Sequence, residues 1–195
     1  MGFLSVLSFA HKLTSERLQP GDYAVDATAG TGSDTLFLAQ ACGRRGHVFA
    51  FDVQSEALDI TQARLDKAKP ANTKLAQVTL LHRSHAEIKY ALPSEVHGQL
   101  GSIMFNLGYL PTEGADHSVI TLTESTLEAL ETGVSLLRPR GLITVVLYPG
   151  HPGGDQEAKA VESWAANLPS STGQAIVYRQ PQRPTAPYLI AIEKK

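Results

Sequence analysis

The sequence predicts an α/β fold: a doubly wound, Rossmann-like sheet that finishes in a C-terminal antiparallel hairpin. Three observations predict it. Strand-like and helix-like runs alternate along most of the 195 residues, the pattern of a parallel sheet covered on both faces by helices. A glycine turn, Gly30-Thr31-Gly32, stands directly behind the first strand-like run, where open α/β sheets receive nucleotides. The last two apolar runs, residues 174–179 and 188–193, are joined by the turn-rich Gln180-Pro181-Gln182-Arg183-Pro184-Thr185, which reads as a hairpin link.

The elements follow in order. Leu4, Leu7, Ala10, His11, Leu13 and Leu18 outline an amphipathic lead-in helix that Pro20-Gly21 ends. Strands are expected over residues 23–27, 47–51, 77–81, 102–106 and 142–147, whose near-continuous apolar character suits strands buried on both faces. Helices are expected between them over 34–42, 55–68, 85–92 and 121–137, with a further one over 155–167. Trp164 and Phe37 are expected in the core. Five alternating strands plus a terminal hairpin is the layout of class I methyltransferases; a dinucleotide dehydrogenase more often keeps its sixth strand parallel.

Composition sets limits on function. The length suits one domain spanning residues 1–195. An apolar fraction of 43% and a charged fraction of 18% exclude a disordered chain. Net charge is −2 and the isoelectric point near 6.4, so the total gives no signature of nucleic-acid binding. Cys42 is the only cysteine; neither an internal disulfide nor a cysteine-based zinc site can form, and it reads as a small buried apolar side chain. Residues 1–10 are apolar but meet His11-Lys12 too soon for a membrane span, and no basic leader precedes them. A cytoplasmic protein without a membrane partner, monomer or homodimer, is expected.

The first strand runs through Tyr23-Ala24-Val25 into Asp26-Ala27-Thr28-Ala29-Gly30-Thr31-Gly32. Bare glycine backbone allows a ligand to approach and tolerates positive φ. A dinucleotide signature wants a third Gly or Ala, yet Thr35 stands there. An S-adenosylmethionine site instead places an acidic residue at the strand end and a glycine turn shortly after, which Asp26 and Gly30-Thr31-Gly32 satisfy, with Thr28 where many such sites carry glycine. The second strand leads into Asp52, whose carboxylate can accept both hydroxyls of a ribose in either cofactor. The expected cofactor set is Asp26, Thr28, Gly30, Gly32, Asp34, Thr35, Asp52 and Gln54, with Ser84 and His85 at the loop where an adenine would lie, and Asn106. No tyrosine has a lysine four residues later, which counts against a short-chain reductase. His82 and His85 have ligand-like spacing, but no Cys or carboxylate triad joins them, and no metal is expected.

The fourth strand ends in Asn106-Leu107-Gly108-Tyr109-Leu110-Pro111, a loop that faces the reactive part of the ligand. Asn-x-x-Tyr resembles the Asn-Pro-Pro-Tyr loop of amino-group methyltransferases. The Asn106 carboxamide oxygen and a nearby carbonyl can accept the N–H bonds of an amine and aim its lone pair, while Tyr109 offers a flat face to a base. A lysine-like amine is neutral in roughly one of a few thousand molecules at pH 7, so a proton acceptor or an apolar pocket is needed. His151, in Tyr148-Pro149-Gly150-His151-Pro152-Gly153-Gly154, is the candidate read from the sequence, to orient the substrate or to help remove its proton. The expected catalytic set is Asn106, Tyr109 and His151.

These segments together, from Asp26 to Ala39, Phe51 to Gln54, Asn106 to Pro111, Thr121 with Thr123, and Tyr148 to Gly154, resemble the YtqB-like family long labelled "putative rRNA methylase". Its characterised members are tRNA 5-aminomethyl-2-thiouridine methyltransferases. The family often carries Asn at the place of Thr31 and His at that of Ser33, and His117 falls in its variable link. The resemblance implies methyl transfer from S-adenosylmethionine to the aminomethyl nitrogen of a wobble uridine, releasing S-adenosylhomocysteine (SAH). It also implies a partner, the anticodon region of tRNA, which the charge total does not predict. Candidate phosphate contacts are Arg44, Arg45, Arg83, Arg138, Arg140, Arg179 and Arg183. The alternatives are a small-molecule N- or O-methyltransferase and a non-catalytic S-adenosylmethionine- or RNA-binding protein.

Overall fold

A computed structural model describes residues 2–69, 74–108, 122–150 and 153–195. A helix over Val6–Ser15 (α1) leads into a strand at Tyr23–Asp26 (β1), a helix at Ser33–Cys42 (α2) and a strand at His47–Asp52 (β2). Then come Ser55–Ala68 (α3), Gln77–His82 (β3), a 3₁₀ turn at His85–Glu87 running into Ile88–Ala91 (α4), and Leu100–Asn106 (β4). Thr123–Leu136 (α5), Leu137–Leu147 (β5), Gly154–Ala166 (α6), Gly173–Tyr178 (β6) and Tyr188–Lys194 (β7) complete the described elements.

The strands form one seven-stranded sheet in the order β3-β2-β1-β4-β5-β7-β6. The first five are parallel, whereas β7 pairs antiparallel with both β5 and β6. The order reverses between β1 and β4, which opens the ligand crevice at their carboxyl ends.

Alternation along the strands feeds two core layers. Phe49 and Phe51 of β2 join Ile103, Phe105, Ile143 and Val145 in a cluster that also takes residues of α4, α5 and α6. Val48 points to the other face, with Met104, Val146 and Leu189, beneath Ala10 of α1 and Leu38 of α2. Cys42 is fully buried there, and burial pushes its thiol up to about 12; it is inert packing, as expected. Trp164 and Phe37 pack against the two clusters but are only partly buried.

Boundaries differ in places with physical causes. The lead-in helix stops at Ser15 rather than extending past Leu18, although Leu18 still enters the core. The expected helix 85–92 divides into a 3₁₀ turn, capped by Ser84 Oγ accepting from Ala86 N at 3.2 Å, and a single α-turn at Ile88–Ala91. Between Leu137 and Leu142 the register with β4 slips, and Arg140 takes φ 64°. Gly141 lies so tightly there that an added Cβ would be 2.9 Å from Leu100 O.

Candidate active site

The ends of β1, β2, β4 and β5 surround a cavity of about 660 Å³, within the range of small-molecule sites. The loop after β1 is its floor. Gly30 and Gly32 adopt φ 51° and 75°, and a Cβ on Gly32 would lie 2.8 Å from Thr61 Cα of α3. Glycine is therefore required at Gly32 both by the left-handed conformation and by the close approach of another backbone.

Asp26 stands behind this floor and is fully buried. It accepts from Thr35 Oγ1 at 2.6 Å and from Thr28 N at 3.1 Å. Burial, with the neighbouring Asp34 and Asp52 carboxylates adding to it, pushes Asp26 up to about 7 despite those two hydrogen bonds. Thr35 is likewise buried. Asp26, Thr35 and Gly32 thus shape the loop from behind, while Thr28, Gly30, Asp34, Asp52, Gln54, Ser84, His85 and Asn106 line the cavity itself.

Asp52 closes the second side. Its Oδ2 accepts from Gly30 N and its Oδ1 from Gln54 N, both at 2.9 Å. A carboxylate has about four lone-pair positions, so each oxygen retains one for a ribose hydroxyl. His85 is almost buried; its Nδ1 donates to Ala27 O at 3.2 Å, and burial lowers its pKa, which keeps the ring neutral. His82 lies apart, with Nε2 2.9 Å from Val53 O. No group of three potential metal ligands exists among the described residues.

Asn106 faces the cavity from the end of β4. Its backbone N donates to Thr28 Oγ1 at 2.8 Å, and its side chain shares a hydrogen bond with the hydroxyl of Tyr148. Burial and the nearby Asp34 charge raise the Tyr148 pKa, so the phenol is neutral. Asp34 in turn lies 2.6 Å from His11 Nε2 of α1, and the His11 ring stacks on Phe37 at 4.0 Å. The sequence reading gave no role to His11, Tyr148 or the cavity-lining Ser125. Tyr148 carried a usable signal, since it directly follows the fifth strand. His11 carried none, because only the tertiary fold brings α1 over the loop.

Tyr109, His151, His117, Thr121 and Pro111 lie outside the described residues. Of the arginines, Arg83 reaches the cavity wall and faces Glu87 at 3.6 Å. Arg138 bonds Asp22 at 3.0 Å and Arg179 bonds Glu162 at 3.4 Å, so both are occupied by internal carboxylates. Arg44, Arg45, Arg140 and Arg183 are exposed.

The charge of the floor discriminates between ligands. Three carboxylates, Asp26, Asp34 and Asp52, interact across it, and Asp34 takes the first turn of α2, the place where a dinucleotide sheet receives a diphosphate. An anionic linker would be repelled there, whereas a nucleoside bearing a positive sulfonium is attracted. The carboxylate on β2, the bare glycine backbone and this negative floor fit S-adenosylmethionine.

Comparison with known proteins agrees. The family model described as "Putative rRNA methylase" matches residues 48–193. The chain is 36% identical over 191 residues to the chloroplastic tRNA (mnm(5)s(2)U34)-methyltransferase of Arabidopsis thaliana, covering 95% of this chain and 68% of that protein. It is similar to a solved structure from Clostridium thermocellum described as a "putative rRNA-methylase", with TM-score 0.90 and 32% identity over the whole of both chains. A Streptococcus mutans protein described as "a putative methyltransferase" and solved in complex with SAH superposes with TM-score 0.83 at 29% identity, again over both full chains.

Proposed function

The chain belongs to the family described as "Putative rRNA methylase" and is an S-adenosylmethionine-dependent class I methyltransferase; from that premise we propose that its acceptor is the aminomethyl nitrogen of 5-aminomethyl-2-thiouridine at the tRNA wobble position. The observation that carries this reading is the placement of Asn106, an amide at the end of β4 held from both sides by Thr28 and Tyr148. The name of the Arabidopsis relative, covering most of both proteins, supports the same substrate.

Residue roles follow from the geometry. Asp52 accepts the ribose hydroxyls with the lone pairs that Gly30 and Gln54 leave available. Thr28, Gly30, Ser84 and the neutral His85 line the cavity, the first two where the nucleoside would lie and the last two where the adenine would be held. Asp26 and Thr35 brace the loop from behind. The bound cofactor supplies an electrophilic methyl on a sulfonium that is already a good leaving group, so the protein contributes chiefly position. Asn106 does this: with its amide N–H donating to the Tyr148 oxygen, Oδ1 stays available to accept an N–H of the amine and orient its lone pair. Tyr109 keeps the role the sequence assigns, stacking on the base, and His151 that of orienting the substrate.

Residues 1–195 act as one methyltransferase domain in this reading. An anticodon loop with an exposed base can be read by the crevice itself, with Arg83 of the cavity wall and the exposed Arg183 as candidate phosphate contacts. Among the described residues no helix is long and apolar enough to cross a membrane, and a single buried cysteine agrees with a cytoplasmic compartment.

Nucleoside mass spectrometry of tRNA from cells lacking the gene tests the proposal. Accumulated 5-aminomethyl-2-thiouridine, converted to its methylated form by the purified protein, is the expected result. An unchanged modification profile rejects it.

A further inference from the structure

An aminomethyl group is mostly protonated near neutral pH, and an ammonium has no lone pair with which to attack. A proton must leave first. Asp34 lines the same cavity as Asn106 and Tyr148, is 7% exposed, and meets His11 Nε2 at 2.6 Å. The His11 side chain as a whole is 29% exposed, while its face is pinned on Phe37 with the two rings within 1° of parallel. A carboxylate that looks into the pocket, backed by an imidazole that looks out to water, is a route for one proton. The titratable groups facing Asp34 are Asp26 behind the loop and Tyr148 at the end of β5. Neither bridges the cavity to solvent: Asp26 is fully buried, and Tyr148 is already bonded to Asn106.

Resting on the tRNA reading above, we propose that Asp34 binds the acceptor ammonium and takes its proton, with His11 as the positioning residue that relays that proton to solvent. The ammonium loses one proton to Asp34. The nitrogen lone pair then forms the N–C bond as the C–S bond breaks, its electron pair going to sulfur. The product is a secondary ammonium beside a neutral thioether; in the Nδ1–H tautomer of His11, Nε2 then takes the first proton from Asp34 as Nδ1 releases its own to water. The balance needs no other reactant.

The test uses the full chain, D34N, H11Q and tRNA isolated from cells lacking the gene. Expected for D34N at pH 7 is a loss of kcat of about a hundredfold, and for H11Q about tenfold; SAH has no sulfonium for the carboxylate floor to attract, so its affinity by calorimetry stays within about threefold of wild type. Both deficits shrink toward pH 9, where the solution itself deprotonates the amine. With SAH present, wild type binds aminomethyl tRNA more tightly than tRNA bearing plain 2-thiouridine, and D34N loses that preference. Unchanged kcat in both variants, a D34N loss of SAH affinity matching its loss of kcat, or deficits that persist at pH 9 would overturn the relay. A wild-type protein that leaves this tRNA unmethylated overturns the substrate reading, and the relay with it.

Discussion

The backbone N–H of Asn106 donates to Thr28 Oγ1 at 2.8 Å, so the strand that presents the acceptor and the loop that receives the cofactor are fixed to each other by one bond. Replacing Thr28 by Val keeps shape but leaves the Asn106 N–H without its acceptor, at a cost of about 1–3 kcal/mol. T28V is expected to lower stability by that amount in urea denaturation and to depress kcat, whereas T28S retains both. Equal behaviour of the two variants would show that the hydroxyl is unimportant.

Gly32 offers a sharper stability test. An alanine there must hold φ 75° and bring its Cβ to 2.8 Å from Thr61 Cα. The left-handed conformation alone costs about 1–2 kcal/mol, and a backbone atom cannot swing aside as a side-chain end does. G32A is expected to melt several degrees lower and to bind SAH poorly. Calorimetry showing wild-type affinity would mean that the loop and α3 separate without consequence.

Asp52 and Asn106 divide the labour between holding the cofactor and turning it over. D52A removes both ribose acceptors and the partners of Gly30 and Gln54, so SAH affinity should fall by tenfold or more, about 1.4 kcal/mol per decade. N106A should bind SAH nearly normally and lose kcat instead. Matching losses of SAH affinity in the two variants would contradict this division.

Asp26 predicts a pH signature. Its ordinary pKa of 3.8 rises to about 7 in the folded protein, so between those values the native state holds a proton that the unfolded chain has released. The stability linked to that proton is complete below the unfolded value and is lost as pH rises through the folded one. D26N cannot titrate. The melting temperature of D26N relative to wild type should therefore climb from about pH 4 to about pH 7 and level off beyond. A difference that is flat across that window would place Asp26 in its ordinary range.

What the sequence made legible was whatever is local. Apolar runs ending in Asp26, Asp52 and Asn106 marked three strand tips, and the Gly30-Thr31-Gly32 turn marked the floor, because strand burial and positive φ write directly into residue type. The alternation of elements predicted the five parallel strands, and the closing link predicted the hairpin. Contacts across sequence distance were not legible. His11 meets Asp34 across 23 positions, and nothing in an amphipathic helix marks one of its polar residues for a carboxylate elsewhere. The partnership of Tyr148 with Asn106 depends on the register of β4 and β5, Asn106 opposite Val146. Register slippage between Leu137 and Leu142 was similarly hidden, since Arg140 is not a residue that advertises φ 64°.

The interior position of β7 has a consequence for the protein's birth. β6 leaves the ribosome first, yet its described neighbour in the sheet is β7, which also covers the open side of β5. Until β7 emerges, the nascent chain carries a bare strand edge on β5 and an unpaired β6, both templates for association with other chains. A chaperone would find this polypeptide from the emergence of β5 onward, and that window shuts only when β7 slides between its two partners.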